Sequence, residues 1–340
     1  MSQFCCPECF GDRGLKKNII PSFDPTLGNC SYCKTQNVDL ISPSQLADVF
    51  GLLISAYEPN PGGKTLVEWL KTDWQLFSHS NMDNAHAKEL LGDILDDGGI
   101  TREKFIPSST YTSPALARWE NLRDELLNKN RYFLDEALDA DRLRELISHL
   151  RAEDITNTWY RARTQLESTP YTIEQMGPPP SKLATHGRAN PTGIPYLYLG
   201  SIPETAISEI RPHTGEAVCV ADFNVPAPLS IVDLREPRKL VSPFLLSDVE
   251  EIAKMRADIP FLERLGNELT RPVLPKSAAI DYIPSQYLCE FIKKSGYDGV
   301  IYKSSVSEGI NLALFDPNKA TGSKVTPYRI DRVAVDFSKP

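Results

Sequence analysis

The sequence lacks the features that mark exported, membrane-spanning and nucleic-acid-binding proteins. Residues 1–6 contain no basic stretch followed by an apolar run, so we expect no secretory signal. The longest clearly apolar stretch, residues 49–57, is far too short to span a bilayer, so we expect no membrane partner. Acidic residues outnumber basic ones by 45 to 37, and the net charge is −8. That balance disfavours nucleic acid as a partner, although it leaves room for a local basic pocket.

The cysteines are concentrated at one end of the chain. Five of the seven fall within the first 33 residues, and an odd, clustered count is typical of metal binding in a reducing compartment, which predicts a cytoplasmic location. Cys6 and Cys9 form one C-x2-C pair, and Cys30 and Cys33 form a second. Four thiolates close a tetrahedral site, so we predict a structural zinc that folds this segment. Cys5 is an alternative to Cys6, but the spacing favours Cys6.

Length and composition fit a soluble protein of more than one domain. The chain has 340 residues, of which 41% are hydrophobic and 24% charged. The composition and hydrophobic periodicity of the sequence change near residues 41 and 154. We therefore predict an α+β protein with a zinc-binding knuckle at 1–40, a helical domain at 41–153 and a sheet-containing domain at 154–340.

Helical periodicity dominates the middle of the chain. Ser42 and Gln45, with Pro43 between them, are typical of a capping box at a helix N-terminus. Apolar residues then recur along one stripe. A second helix is predicted to open at residues 113–114, and leucines at helical spacing in 143–150 indicate a third.

Strands and helices alternate from residue 154 onward. The aromatic-rich segment 158–163 predicts a strand. Residues 190–193 (Asn-Pro-Thr-Gly) predict a type I turn before a strand at 194–200. Ser201 and Glu204 predict a capping box for a helix that ends near residue 210. Further strands are predicted at 216–224, 229–234, 298–302, 310–315 and 327–336, and a helix at 284–294.

Several polar residues stand where a fold alone would not place them. Arg161 and Arg163 share one face of their predicted strand, which suits an anion. Gly187 allows a ligand to approach the backbone closely. If the leucines at 197 and 199 face the core, Tyr198 faces a cleft. Taken singly, these residues could equally form an exposed strand face or a half-buried sheet surface.

In their order along the chain, these motifs resemble the RES family, which is named for an Arg, a Glu and a Ser. The resemblance rests on residues 187–191 (Gly-Arg-Ala-Asn-Pro), 196–199 (Tyr-Leu-Tyr-Leu), 204–209 (Glu-Thr-Ala-Ile-Ser-Glu) and 296–315, and covers about 155–320. Two features depart from the family pattern. Ala189 stands where many members have Trp, and residues 235–276 look like an insertion.

RES domains are NAD-degrading toxins that act as NAD phosphorylases or glycohydrolases and often belong to toxin–antitoxin pairs. The resemblance implies a mixed sheet like that of ADP-ribosyltransferases. It also implies NAD as substrate, inorganic phosphate or water as acceptor, and an antitoxin partner. Carried onto this sequence, it implies catalytic roles for Arg161, Glu209 and Ser304, and substrate-binding roles for Arg163, Arg188, Asn190 and Tyr198.

The implied chemistry explains why each of these residue types suits its implied role. Departure of nicotinamide leaves positive charge on the ribose, which a carboxylate such as Glu209 stabilises. The guanidinium groups of Arg161 and Arg188 match the pyrophosphate oxygens. Tyr198 would stack on nicotinamide, and Ser304 would orient a ribose or the nicotinamide amide.

Other functions compete with this interpretation. The chain could modify a protein by ADP-ribosylation, or act as a zinc-knuckle adaptor whose C-terminal half senses a ligand. The paired cysteines followed by helices resemble a HEPN-like extension, which could regulate the toxin, sense a trigger or drive homo-oligomer assembly. Arg144 and His149 have the spacing of HEPN ribonucleases, but a match of this length is a weak signal. His186 and His213 flank the predicted site without an assigned role.

Overall fold

The computed structural model describes residues 3–226 and 228–334. These residues fall into two compact units. The first contains the described residues up to Leu116 together with Glu236–Leu262, and the second contains Ala117–Arg235 together with the described residues from Glu263 onward. Most of the segment that resembles an insertion therefore belongs to the first unit. The predicted boundaries at residues 40 and 153 stay a prediction.

Helices occur throughout the described chain. The α-helices are α1 (Pro7–Phe10), α2 (Ala47–Ile54), α3 (Leu66–Trp74), α4 (Asn84–Leu95), α5 (Ala115–Asn128), α6 (Ala140–Ser148), α7 (Pro203–Glu209), α8 (Pro237–Leu240), α9 (Val249–Thr270), α10 (Ala278–Asp281) and α11 (Ile283–Lys294). A π-helical turn covers Leu15–Ile19, and 3-10 turns cover Ile20–Phe23, Pro43–Leu46, Ile100–Arg102, Ile173–Met176, Ser181–Leu183, Pro243–Leu245 and Pro317–Lys319. No helix of the described residues is long and apolar enough to cross a membrane.

The strands form one large sheet and two small hairpins. They are β1 (Thr26–Gly28), β2 (Val38–Leu40), β3 (Tyr57–Thr65), β4 (Lys104–Pro107), β5 (Thr158–Thr164), β6 (Leu197–Gly200), β7 (Ala217–Asn224), β8 (Ile231–Asp233), β9 (Gly299–Lys303), β10 (Ile310–Leu314) and β11 (Thr321–Arg329). Strands β1 and β2 pair with each other, as do β3 and β4. The other strands form a seven-stranded sheet in the order β11-β7-β5-β6-β10-β9-β8.

The first unit is largely helical. The capping box predicted at Ser42 and Gln45 is present, and the backbone N–H of Ser42 donates to the side chain of Gln45 at 3.0 Å. A 3-10 turn follows, and α2 then buries Phe50. Its ring lies 5.6 Å from that of Phe10 and 4.9 Å from that of Phe244. Aromatic packing thus supplies much of the core that joins these segments.

The second unit confirms the α+β prediction with a mixed sheet. Every pairing in the sheet is antiparallel except that of β8 with β9, which is parallel. One face carries the main core, in which Trp159 packs with Leu199 and Leu312. On the other face, Ala206 of α7 packs against Ala162 and Val220.

One place in the sheet is only loosely paired. Strands β5 and β7 are in register over seven residue pairs, whereas β5 and β6 share the single pair Tyr160↔Gly200. Adding a Cβ to Gly200 would place it 2.7 Å from the backbone nitrogen of Ala206, so this position also admits α7 against the sheet. Away from this pair, β5 and β6 leave a cleft between them.

Three local predictions were wrong in detail. Helix α7 starts from Ile202, without a side-chain cap, because the Ser201 hydroxyl accepts the backbone N–H of Ile310 at 3.1 Å. The turn before β6 runs one residue later, from Pro191 to Ile194, and Gly193 occupies its third position with φ +86°, as in a type II turn. The last predicted strand, 327–336, overlaps β11 only at 327–329, and its residues 335–336 lie outside the described residues.

The core of the second unit should depend strongly on Trp159. Its side chain is 0% exposed, and its indole N–H donates to the carbonyl of Thr156 at 2.8 Å. Trp159→Ala should lower the free energy of unfolding of this unit by about 3–5 kcal/mol because it leaves a large cavity. Urea titration checks this, with Tyr132→Ala as the control. Tyr132 is 92% exposed, so its loss should change stability by less than about 0.5 kcal/mol. Equal effects of the two changes would contradict the assignment.

Candidate active site

A polar cavity lies in the second unit, where β5 and β6 diverge. Its volume is about 520 Å³, which is within the usual range for small-molecule sites. Four of the residues singled out in the sequence line it: Arg161, Arg188, Tyr198 and Glu209. The cavity wall also includes Tyr160, His186, Gly187, Tyr282, Tyr302 and Asn311.

Glu209, the last residue of α7, is held by two donors. The hydroxyl of Ser304 donates to its Oε1 at 2.7 Å, and the side-chain amide of Asn311 donates to the same oxygen at 2.6 Å. Among the described residues none is bonded to Oε2. Two fixed donors orient the carboxylate without neutralising it. Ser304 therefore contacts Glu209 directly, and its hydroxyl proton is used in this hydrogen bond.

Arg161 of β5 is a half-buried cation without a counter-ion among the described residues. Its Nη1 donates to the carbonyl of Tyr198 at 3.1 Å, while its Nε is buried and has no hydrogen-bond partner. Burial, followed by the nearby charge of Arg163, lowers the pKa of Arg161 to about 10. An anion that enters the cavity would stabilise a guanidinium in this situation.

Arg188 is held by its neighbours on several sides, and only 9% of it is exposed. Its Nη1 donates to the carbonyl of Arg271 at 2.8 Å, and its Nη2 to the hydroxyl of Ser305 at 3.4 Å. The ring of Tyr282 lies 5.1 Å from the guanidinium carbon. The residue is thus oriented by one carbonyl, one hydroxyl and one aromatic face, and no carboxylate of the described residues forms an ion pair with it.

Tyr198 and Asn190 form a unit that shapes the cavity wall. The hydroxyl of Tyr198 donates to Oδ1 of Asn190 at 2.7 Å and accepts the backbone N–H groups of Ala189 and Asn190 at 2.9 and 3.1 Å. Burial raises the pKa of Tyr198, which keeps its phenol protonated as this bonding requires. Asn190 is itself buried and does not line the cavity. It supports the cavity wall through Tyr198 and through its backbone carbonyl, which accepts the N–H of Gly187 at 2.9 Å.

Arg163 is placed apart from the other site residues. It lies two residues from Arg161 in β5, so both point to the same face of the strand. Its Nη1, however, donates to the carbonyl of Gln175, and its guanidinium lies 5.0 Å over the ring of Tyr171. It is exposed and does not line the cavity. Its nearest contribution to the site is its charge, which acts on the pKa of Arg161.

Sequence reasoning missed Asn311, Tyr302 and Tyr282. Asn311 gave a usable signal, because it is the one polar side chain in the apolar strand β10 (Ile-Asn-Leu-Ala-Leu). Tyr302 is fully buried, and that burial raises its pKa well above the usual value. Tyr282 lies between α10 and α11, and no sequence pattern marked it. His186 lines the cavity and His213 does not.

The four predicted zinc ligands come together in the first unit. The Sγ atoms of Cys6, Cys9, Cys30 and Cys33 all lie within 4.8 Å of one another, and all four residues are buried. Zinc–thiolate bonds of about 2.3 Å place tetrahedral sulfurs roughly 3.8 Å apart, so this donor set fits the ion. Hydrogen bonds from the thiols of Cys6 and Cys9 lower the pKa of Cys30.

Cys5 is separate from this cluster. Its Sγ contacts the carbonyl of Ile41 at 3.8 Å, and burial raises its pKa to about 12. A thiol that stays protonated in contact with a carbonyl is a poor metal ligand. The structure therefore favours Cys6 over Cys5 as the fourth member.

The residues with HEPN-like spacing are engaged in local contacts. Arg144 pairs with Asp141 one turn away on α6, and its guanidinium lies 5.7 Å over the ring of Phe291. His149 is the C-cap residue of the same helix. Arg144 thus contacts both its own helix and a ring that is distant in sequence.

Comparison with known families identifies the C-terminal part of the chain. The RES domain family matches residues 158–336, more than half of the sequence, and the chain belongs to this family. Membership supports an NAD-acting enzyme in general. Among solved structures, a chain from the crystal structure of the M. tuberculosis MbcT–MbcA toxin–antitoxin complex is similar at 13% identity and a TM-score of 0.34. The match covers 56% of this chain and 93% of that one. A comparison with curated proteins gave no significant match.

The close approach of Gly187 to Tyr198 gives a test of the cavity wall. A Cβ at residue 187 would lie 2.5 Å from the Tyr198 hydroxyl oxygen and 2.3 Å from Oδ1 of Asn190. Gly187→Ala should therefore separate Tyr198 from Asn190 and cost about 1–3 kcal/mol of stability, since buried polar groups lose their partners. Thermal and urea denaturation measure the loss.

Gly51→Ala is the matched control for this change. Nothing lies within 4 Å of a Cβ at Gly51, which is inside α2, so this substitution should stabilise the protein by about 0.5–1 kcal/mol. A Gly187→Ala protein as stable as the parent would show that Tyr198 and Asn190 do not fix this wall.

Proposed function

We propose that this chain is an NAD-degrading enzyme that breaks the bond between nicotinamide and ribose. The observation that carries the proposal is the pairing, in one cavity, of an oriented carboxylate with guanidinium groups that have no counter-ion in the described part of the chain. Glu209 supplies the carboxylate, and Arg161 and Arg188 supply the guanidinium groups. A dinucleotide needs both, because its pyrophosphate is anionic while its reacting sugar becomes cationic.

Glu209 acts on the sugar. As the glycosidic C–N bond breaks, its electron pair leaves with the nicotinamide nitrogen, and positive charge develops on the ribose. The carboxylate stabilises that charge electrostatically, or through the ribose hydroxyls that it accepts. Because Ser304 and Asn311 already bond Oε1, Oε2 is the oxygen directed at substrate in this proposal. Ser304 then assists by orienting Glu209, besides any bond to the ribose or the amide.

The two arginines bind the pyrophosphate. Arg161 offers its buried Nε, and Arg188 is held in place by Ser305 and Tyr282. Tyr198 has its hydroxyl committed to Asn190, so it offers substrate a ring and not a donor. A ring surface suits stacking on nicotinamide. Arg163 does not line the cavity, so its proposed role is electrostatic.

Replacing the carboxylate tests the proposal. Glu209→Gln keeps the size of the side chain and the oxygen that accepts Ser304 and Asn311, but it removes the charge. We expect nicotinamide release from NAD to fall by at least about 10²-fold, with the melting temperature nearly unchanged.

Glu204→Gln, an exposed change in the first turn of the same helix, is the control and should retain parental activity. Full turnover by Glu209→Gln would defeat the assignment. Absence of turnover by the parent protein would defeat the proposed activity itself.

The acceptor is identified by its product. Attack by water gives free ADP-ribose and a proton, whereas attack by inorganic phosphate gives ADP-ribose 1″-phosphate. Transfer to a protein side chain gives a modified protein. Mass spectrometry of reactions with and without phosphate separates these outcomes. A role as a toxin or defence effector, with an antitoxin encoded elsewhere, belongs to the same proposal.

We also propose that Cys6, Cys9, Cys30 and Cys33 bind one structural zinc ion, which stabilises the N-terminal segment. Such an ion has all four positions filled by protein, so it supplies folding free energy and no reaction step.

Elemental analysis of the purified chain should find about one zinc per protein. Cys30→Ser should lose the ion and lower the melting temperature of the first unit, and strong chelators should have the same effect on the parent. Cys5→Ser is the control and should retain the zinc. Full zinc content in the Cys30→Ser protein would exclude this site.

A further inference from the structure

A buried acid lies behind the cavity, outside the set of residues that contact it. Glu268 of α9 is 1% exposed. Three arginines surround its carboxylate: Arg123 at 2.9 Å, Arg264 at 2.7 Å and Arg271 at 3.3 Å. Arg264 also pairs with Glu120, so its charge is shared between two acids. A buried carboxylate with this many cations is fully compensated, which makes it a firm anchor.

Arg271 connects this anchor to the site. Its Nε faces Oε2 of Glu268 across 3.3 Å without the alignment of a hydrogen bond, so the attraction between them is electrostatic. Its Nη2 donates to the carbonyl of Asp281 at 2.6 Å. Its own carbonyl accepts Nη1 of Arg188 at 2.8 Å. One residue thus holds the cavity arginine with its backbone while its side chain is held by Glu268.

The segment between these contacts forms a wall of the cavity. Val273, Pro275, Ala278 and Tyr282 all line it. The bond from Arg271 to the carbonyl of Asp281 ties the two ends of this segment together across 10 residues. Tyr282, next to that carbonyl, places its ring over the Arg188 guanidinium. The segment therefore contacts Arg188 at both of its ends.

We propose that Glu268 and Arg271 are positioning residues that set the guanidinium of Arg188 and the wall 271–282 for the pyrophosphate of the bound dinucleotide. This inference rests on the proposed function. Neither residue lines the cavity, so they act on substrate only through Arg188 and the wall. Their loss should weaken binding of NAD, while the chemical step at Glu209, which is held by Ser304 and Asn311, should proceed as before.

The test compares matched acid-to-amide changes in the full chain. Glu268→Gln should raise KM for NAD by roughly 10-fold and leave kcat within about 2-fold, because a small misplacement of a binding group is costly. Glu120→Gln is the control. It removes an ion pair from the same Arg264 without touching Arg271, and it should leave both constants unchanged.

Two further measurements keep the test decisive. Arg271→Lys retains the charge beside Glu268, so it preserves folding, but it loses the fork that also reaches Asp281. It should raise KM in the same direction. Amide hydrogen exchange without substrate should show faster exchange across 271–282 in Glu268→Gln and in Arg271→Lys than in the parent or in Glu120→Gln.

The outcomes separate this inference from the proposed function. Faster exchange with a raised KM supports it. A lower melting temperature with unchanged KM and a lower kcat in both variants overturns it, since that is the result of a merely structural role. Unchanged exchange across 271–282 also overturns it. If the parent protein fails to consume NAD, the proposed function and the substrate part of this inference both fail, and hydrogen exchange alone decides whether Glu268 anchors the wall.

Discussion

The site depends on a break in hydrogen bonding between two central strands. Strands β5 and β6 are neighbours in the sheet, yet they share one register pair, Tyr160↔Gly200, and then diverge. In a continuous sheet, backbone ladder bonds between the two strands would continue beyond this pair. Here Arg161 extends across the gap and bonds the carbonyl of Tyr198, a group that a paired strand would have used. The cavity exists because the sheet is incomplete at this point.

Around this gap, each charged side chain is held by uncharged groups. Glu209 is held by a hydroxyl and an amide, and Arg188 by a carbonyl, a hydroxyl and an aromatic ring. No described ion pair cancels either charge. The charges that do cancel are placed one layer further out, around Glu268. This division keeps the electrostatic field inside the cavity available for a ligand and keeps the supporting shell rigid.

Local sequence patterns were reliable where local contacts decided the structure. The alternation in 158–163 gave β5, and the Ser42–Gln45 pattern gave a real capping box. The same pattern at Ser201 failed because its hydroxyl bonds a backbone group 109 residues away. Likewise, strand parity placed Arg163 beside Arg161, but the carbonyl of Gln175 took up its guanidinium. Asn311 could have been noticed as a lone polar residue in an apolar strand. The support that Arg271 and Tyr282 give to Arg188 has no local signature, since it depends on contacts between distant segments.

The turn after β9 carries a constraint on its length. Adjacent residues in it reach opposite charges: Ser304 bonds the acid Glu209, and Ser305 bonds the cation Arg188. Gly309 closes the turn against Thr205, where any side chain would collide with the threonine hydroxyl. A residue inserted between β9 and Ser304 would displace both serines from the positions at which they bond Glu209 and Arg188. Changes of side chain in this turn can be accommodated one at a time, whereas a change in its number of residues alters the anionic and cationic halves of the site together.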